Sequence, residues 1–142
     1  MFAALPLLAL PVLAYNLIAL TLAGGFSSVE ASIRMSEPLF EIAMKGEVQW
    51  PVTLSDLLLL AGLVVLFIEL LKSTTSRRTA IVNHALSMLL FVVCLVEFLL
   101  APAFATSAFF LLTIMVLLDV LAGFIVTIVS ARRDIDFGPD AA

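Results

Sequence analysis

Residues 104–131 read FATSAFFLLTIMVLLDVLAGFIVTIVSA, a run of apolar side chains interrupted by a single ionisable group, Asp119. As an α-helix at 1.5 Å per residue this run would be about 42 Å long, against roughly 30 Å for the hydrocarbon core of a bilayer. A chain of 142 residues has no soluble core large enough to enclose such a rod. Lipid is the fitting solvent, and because lipid offers the backbone no hydrogen-bond partners, the run must be helical.

Working outward from it, three further runs have spanning length and composition: 79–100, 52–71 and 2–23. The whole sequence agrees, with 63% apolar and 13% charged residues and a mean hydropathy of +1.24. The expected fold class is therefore an all-α integral membrane protein. Residues 1–142 form one domain, with four transmembrane helices in an up-down bundle and a short amphipathic outer segment, 26–51. The connections after 71 and after 100 are short, which predicts antiparallel neighbours for spans two and three and for spans three and four. The first run has no Lys or Arg before it and only a poorly formed small-x-small cleavage site, so it reads as a span rather than a secretory signal. Pro6 and Pro11 predict a kink there.

Charge sets the expected orientation. Lys72, Arg77 and Arg78 lie between spans two and three, and Arg132 and Arg133 follow span four, so five of the seven Lys and Arg share one side. That side should be cytoplasmic, with both termini inside and 26–51 outside. The chain resembles small multi-span proteins of bacterial inner membranes, and a multi-pass protein of that membrane is the expected setting. A formal net charge of −4 argues against nucleic acid as a partner.

Within the outer segment, Phe40, Ile42, Met44, Val48, Trp50 and Val52 alternate with Glu41, Lys45, Glu47 and Gln49, and Lys45-Gly46 makes a plausible turn. An amphipathic hairpin on the outer face is one expectation. The rival is a short interfacial helix capped by Ser36 with Glu37 and Pro38 in its first turn.

Polar groups inside the spans are the candidate functional residues, because an ionisable side chain in hydrocarbon costs a few kcal/mol and is normally turned inward. Counted at 1.5 Å per residue, Asp119 lies near mid-membrane, Glu69 and His84 about 9 Å to the cytoplasmic side, and Glu97 about 10 Å to the outer side. Matched depth predicts a Glu69–His84 hydrogen bond across the second and third spans. With no base at its own depth, Asp119 is expected to be uncharged and to bond to Asn16, Tyr15 or a partner chain. Ser55, Gly62 and Glu69 form a stripe of small and polar residues on span two. Asn83, Ser87, Cys94 and Glu97 form another on span three, and Gly123 and Thr127 accompany Asp119 on span four. Such stripes suit close helix contact, so Gly62, Gly123, Thr127 and Ser87 are the expected packing residues.

One Cys and one His exclude a disulfide framework and a Cys/His-rich zinc site within one chain, and no nucleotide-binding glycine loop, HExxH or CxxC is present. The expectation is a non-enzymatic accessory or scaffold subunit of a membrane complex, with no catalytic residue, metal or cofactor. Its partners would be membrane lipid and other membrane-protein helices, or further copies of itself. The alternatives are a small oligomeric proton-coupled transporter or channel using Asp119, with Glu69 and His84 as an inner relay, and a pigment- or haem-binding subunit through His84.

Overall fold

The structure, a computed structural model, describes residues 5–21, 24–25, 27–73 and 77–136. Helix α1 (Ala9–Thr21) is followed by the short helix α2 (Glu30–Ser36) and by strands β1 (Pro38–Ala43) and β2 (Gln49–Thr53). Three long helices complete the chain: α3 (Leu54–Ser73), α4 (Arg77–Leu100) and α5 (Ser107–Asp136). A single 3-10 turn, Pro102–Phe104, precedes α5.

Among the described residues, three helices are long and apolar enough to cross a membrane: Leu54–Lys72, Ile81–Leu100 and Ser107–Val129. The expected first span stands apart. Its helix has 13 residues, about 20 Å, and is preceded by a non-helical stretch around Pro6; residues 2–4, 22 and 23 of the run lie outside the described residues.

Local chemistry fixes where the long helices begin. Thr53 and Asp56 form a capping box at the start of α3: the Asp56 N–H donates to Thr53 Oγ1 at 3.2 Å, and the Thr53 N–H donates to Asp56 Oδ2 at 2.9 Å. Thr106 caps α5, its Oγ1 accepting from the Phe109 N–H at 3.1 Å. Pro102 at the head of the 3-10 turn prevents α4 from continuing.

The outer segment contains both expected structures, in series. The helix is placed earlier than the reading from Ser36 put it, and 36–51 belongs chiefly to the hairpin. Strands β1 and β2 pair antiparallel, with Phe40 opposite Val52 and Ile42 opposite Trp50. Gly46 (φ 87°) and Glu47 (φ 61°) make the left-handed turn, closed by the Met44 N–H on the Val48 carbonyl at 2.8 Å. Gly46 meets that requirement without strain; Glu47 does not have that freedom.

The three long helices alternate in direction, but their packing corrects the expectation that spans two and three are close neighbours. Helix α5 packs along both α4 and α3, whereas α3 and α4 share little helix-to-helix surface despite their short connection. Because α5 starts at the same end as α3, these two neighbours run parallel. Their close approach depends on Gly62, where an added Cβ would lie 2.9 Å from Leu112 Cδ2 and 3.0 Å from Met115 Sδ. Leu8, Val12, Tyr15 and Ala19 of the N-terminal segment bury one face against the rest of the core. Tyr15, Phe104 and Phe109 cluster at the outer end, with ring centroids 4.7–5.4 Å apart. The large apolar side chains left exposed, such as Leu60, Phe67, Leu89 and Ile125, are what a lipid-facing surface requires.

Gly62→Ala should be mild, since the flexible ends of Leu112 and Met115 can yield. Gly62→Leu should force α3 from α5 and cost about 1–3 kcal/mol. Steric-trap unfolding in bicelles measures both, and equal stability of the two variants would contradict the close contact.

Candidate functional site

The described polar side chains form two groups at opposite ends of the bundle, named outer for the end that carries the hairpin and inner for the end away from it. The inner group centres on Glu69, fully buried on α3. Its Oε2 accepts the Leu7 N–H at 2.6 Å and its Oε1 accepts Asn83 Nδ2 at 2.6 Å. Lys72, one turn on, lies 3.3 Å from Glu69 Oε1 and donates to the Leu5 carbonyl at 2.9 Å, with Asn83 Oδ1 at 3.4 Å. Leu5 and Leu7 flank Pro6, which has no N–H, and this non-helical stretch leaves backbone groups that lipid cannot satisfy. The Glu69–Lys72 pair supplies the missing acceptor and donor.

This arrangement corrects the expected Glu69–His84 bond. Asn83 and His84 are consecutive, so about 100° separates them around α4, and only one can face α3. Asn83 takes that place. His84 turns to α5, where its Nδ1 would lie 2.6 Å from a Cβ added at Gly123. That nitrogen is buried and has no hydrogen-bond partner among the described residues. Enclosed against α5, it offers no approach to an axial metal; Nε2 alone could serve the pigment or haem reading.

One turn along α4, Ser87 donates to Asp119 Oδ2 at 2.6 Å, and both residues are buried. The expected partners of Asp119, Asn16 and Tyr15, lie elsewhere. Asn16 Nδ2 donates to Glu97 Oε2 at 3.3 Å, and the Tyr15 hydroxyl donates to the Ala103 carbonyl at 3.0 Å, with Thr106 Oγ1 at 2.7 Å. The cause is the position of α1: treating 2–23 as a centred span places Tyr15 and Asn16 at mid-depth, whereas α1 sits further outward. Glu97, which depth puts about 10 Å from mid-membrane, is half-buried and takes Asn16 as its partner.

The packing residues divide. Gly62, Ser87 and Gly123 face neighbouring helices of the same chain, but Thr127 is exposed and donates to the Gly123 carbonyl of its own helix at 2.8 Å. The local pair of Glu69 with Lys72 is what their i,i+3 spacing allows; the contact sequence reasoning missed is that of Lys72 with the Leu5 carbonyl, whose signal was the proline-bearing segment in need of donors and acceptors. Between the two polar groups lies an apolar layer of Leu66, Cys94, Leu112, Met115 and Val116, all buried.

An outward-facing cavity of about 470 Å³ lies between α2, α3 and α5, lined by hydroxyl groups, Asp56, Met35, Leu59 and Leu111. Ser55 Oγ closes one wall by donating to the Met35 carbonyl at 2.8 Å. Among the described residues, no three His, Cys, Asp or Glu side chains assemble into a metal-binding group. Comparison with known proteins finds no matching family, no matching curated protein and no matching solved structure.

A double-mutant cycle on Glu69→Leu and Asn83→Leu should return a coupling of about 0.6–1.7 kcal/mol, the range of interhelical hydrogen bonds in membranes. The same cycle on Glu69 and His84 should return a coupling near zero. Reversal of that order would contradict the observed partnering.

Proposed function

We propose that this chain is a small multi-pass membrane protein acting as a non-enzymatic accessory or scaffold subunit of a membrane complex. Its first crossing is the run 2–23, with Ala9–Thr21 as the helical part, and its termini face the cytoplasm, a bacterial inner membrane being the setting. The clustering of five bases at one end supports that orientation. Its partners are membrane lipid and the helices of another membrane protein or a second copy.

The observation that carries this reading is the closure of the polar interior. Glu69, Asn83, Ser87, Thr113 and Asp119 are buried, and each is already bonded to a group of the same chain. A scaffold uses intramembrane polar groups to hold helices in register. A carrier needs groups that exchange one partner for another along a wet path, and the apolar layer around Cys94 and Val116 separates the inner polar group from the outer one. Gly62, Ser87 and Gly123 are occupied within the chain, so partner helices meet its apolar, lipid-facing sides.

A second reading, a small oligomeric proton-coupled carrier, draws support from one observation: His84 Nδ1, buried without a partner among the described residues, beside the helix that carries Asp119. Asp119→Asn separates the two. Under the scaffold reading the purified protein in vesicles carries no proton current, and Asp119→Asn assembles as the parent does. Asp119→Leu strands the Ser87 hydroxyl and weakens the bundle by about 0.6–1.7 kcal/mol. A proton flux that Asp119→Asn abolishes, with assembly unchanged, would overturn the scaffold reading.

A further inference from the structure

The β1–β2 hairpin presents a face that the bundle does not use. The register places Phe40 opposite Val52 and Ile42 opposite Trp50, and the Met44–Val48 backbone bond extends the same face to the turn. All six side chains on it are apolar. The opposite face pairs Glu41 with Pro51 and Ala43 with Gln49, and the turn carries Lys45 and Glu47. Only Val52, at the base, is buried, at 5% exposure; Trp50 and Phe40 are 47% and 51% exposed. A two-stranded ribbon is marginal in water, and one with this much uncovered apolar surface on a single side calls for a cover.

We propose that this face is a lipid-binding surface, seated at the headgroup level of the leaflet from which α3 enters the bilayer. Three observations select lipid as the occupant. First, β2 ends at Thr53 and α3 begins at Leu54, with Thr53 and Asp56 locked in the capping box, so the hairpin is held at the mouth of a membrane span without a linker. Second, Val52 is buried on the same face as Trp50, so the face points the way of the bundle's apolar surface and continues it sideways. Third, the charges lie on the opposite face and at the turn, where an interfacial ribbon meets water, while Trp is the side chain suited to the headgroup level. The hairpin thus acts as an outrigger that fixes the tilt and depth of α3. The inference rests on the membrane-spanning reading of the long helices and is independent of the scaffold role.

Trp50 is the only tryptophan in the chain, so the unmodified protein reports directly. Reconstituted in phosphatidylcholine vesicles, Trp50 should be quenched several-fold more strongly by lipids bearing a nitroxide near the headgroup than by lipids labelled deep in the acyl chain, and only weakly by aqueous iodide. Efficient quenching by iodide would place the face in water and overturn the proposal. Protection from both iodide and lipid nitroxides would mean that protein covers it, a second copy or another partner, and would equally overturn it. Co-flotation with the vesicles establishes insertion separately, so a failure of the membrane reading is told apart from a failure of the hairpin's assignment. Spin labels placed singly at positions 40 to 44, in a Cys94→Ala background, should alternate: oxygen collisions dominate at 40, 42 and 44, and a water-soluble nickel chelate at 41 and 43. Uniform accessibility along the strand would contradict the proposal as well.

Discussion

The clamp formed by Glu69 and Lys72 on the backbone around Pro6 is the interaction on which the arrangement of helices depends. In lipid a helix gains little from burying its apolar face against another helix, since the solvent is as apolar as the core. Association has to come from packing and from polar groups that find partners only in the assembled state. Glu69 accepts the Leu7 N–H and Asn83 Nδ2, while Lys72 donates to the Leu5 carbonyl. The N-terminal segment, α3 and α4 are thereby joined at one place. Breaking the arms of the fully buried Glu69 leaves its carboxyl or the Leu7 N–H without a partner, which in hydrocarbon costs several kcal/mol. The clamp explains why an acid and a base are tolerated so close together at the inner end of an apolar helix.

Helix α5 completes the structure from the other side. It runs parallel to α3 and antiparallel to α4, coming close to the first at Gly62 and to the second at Gly123. The Ser87–Asp119 bond ties α4 and α5 at a depth between the clamp and the apolar layer. At the far end, Thr106 both caps α5 and meets the Tyr15 hydroxyl, so the residue that starts the central helix also anchors α1. Polar chemistry at the two ends and close packing between them divide the work of holding four helices together.

Much of this was legible in the sequence, and what was not has a common cause. The long apolar helices follow from hydropathy and length, and the hairpin from strict alternation about Lys45-Gly46. The stripe of Ser55, Gly62 and Glu69 does face inward, because heptad spacing keeps residues on one side of a helix whatever the neighbour is. Sequence spacing does not say which helix that neighbour is. Glu69 and His84 lie at equal depth, yet rotation about α4 gives the place beside Glu69 to Asn83. Tyr15 and Asn16 were assigned a depth from the midpoint of the apolar run, whereas the non-helical stretch at Pro6 and its clamp set α1 further outward. Lys72 was legible as a base at a helix end but not as a donor to Leu5, since that contact joins residues 67 positions apart.

The backbone amide of Leu7 tests the central claim most directly. It precedes the first turn of α1, where an amide normally has no intrahelical acceptor, and among the described residues its bond is to the Glu69 carboxyl. Amide hydrogen exchange measured by NMR on the protein in lipid nanodiscs should show Leu7 strongly protected, with that protection lost in Glu69→Leu while amides in the middle of α5 keep theirs. A Leu7 amide that exchanges as fast as an unbonded one, or that stays protected without the Glu69 carboxylate, would contradict the clamp.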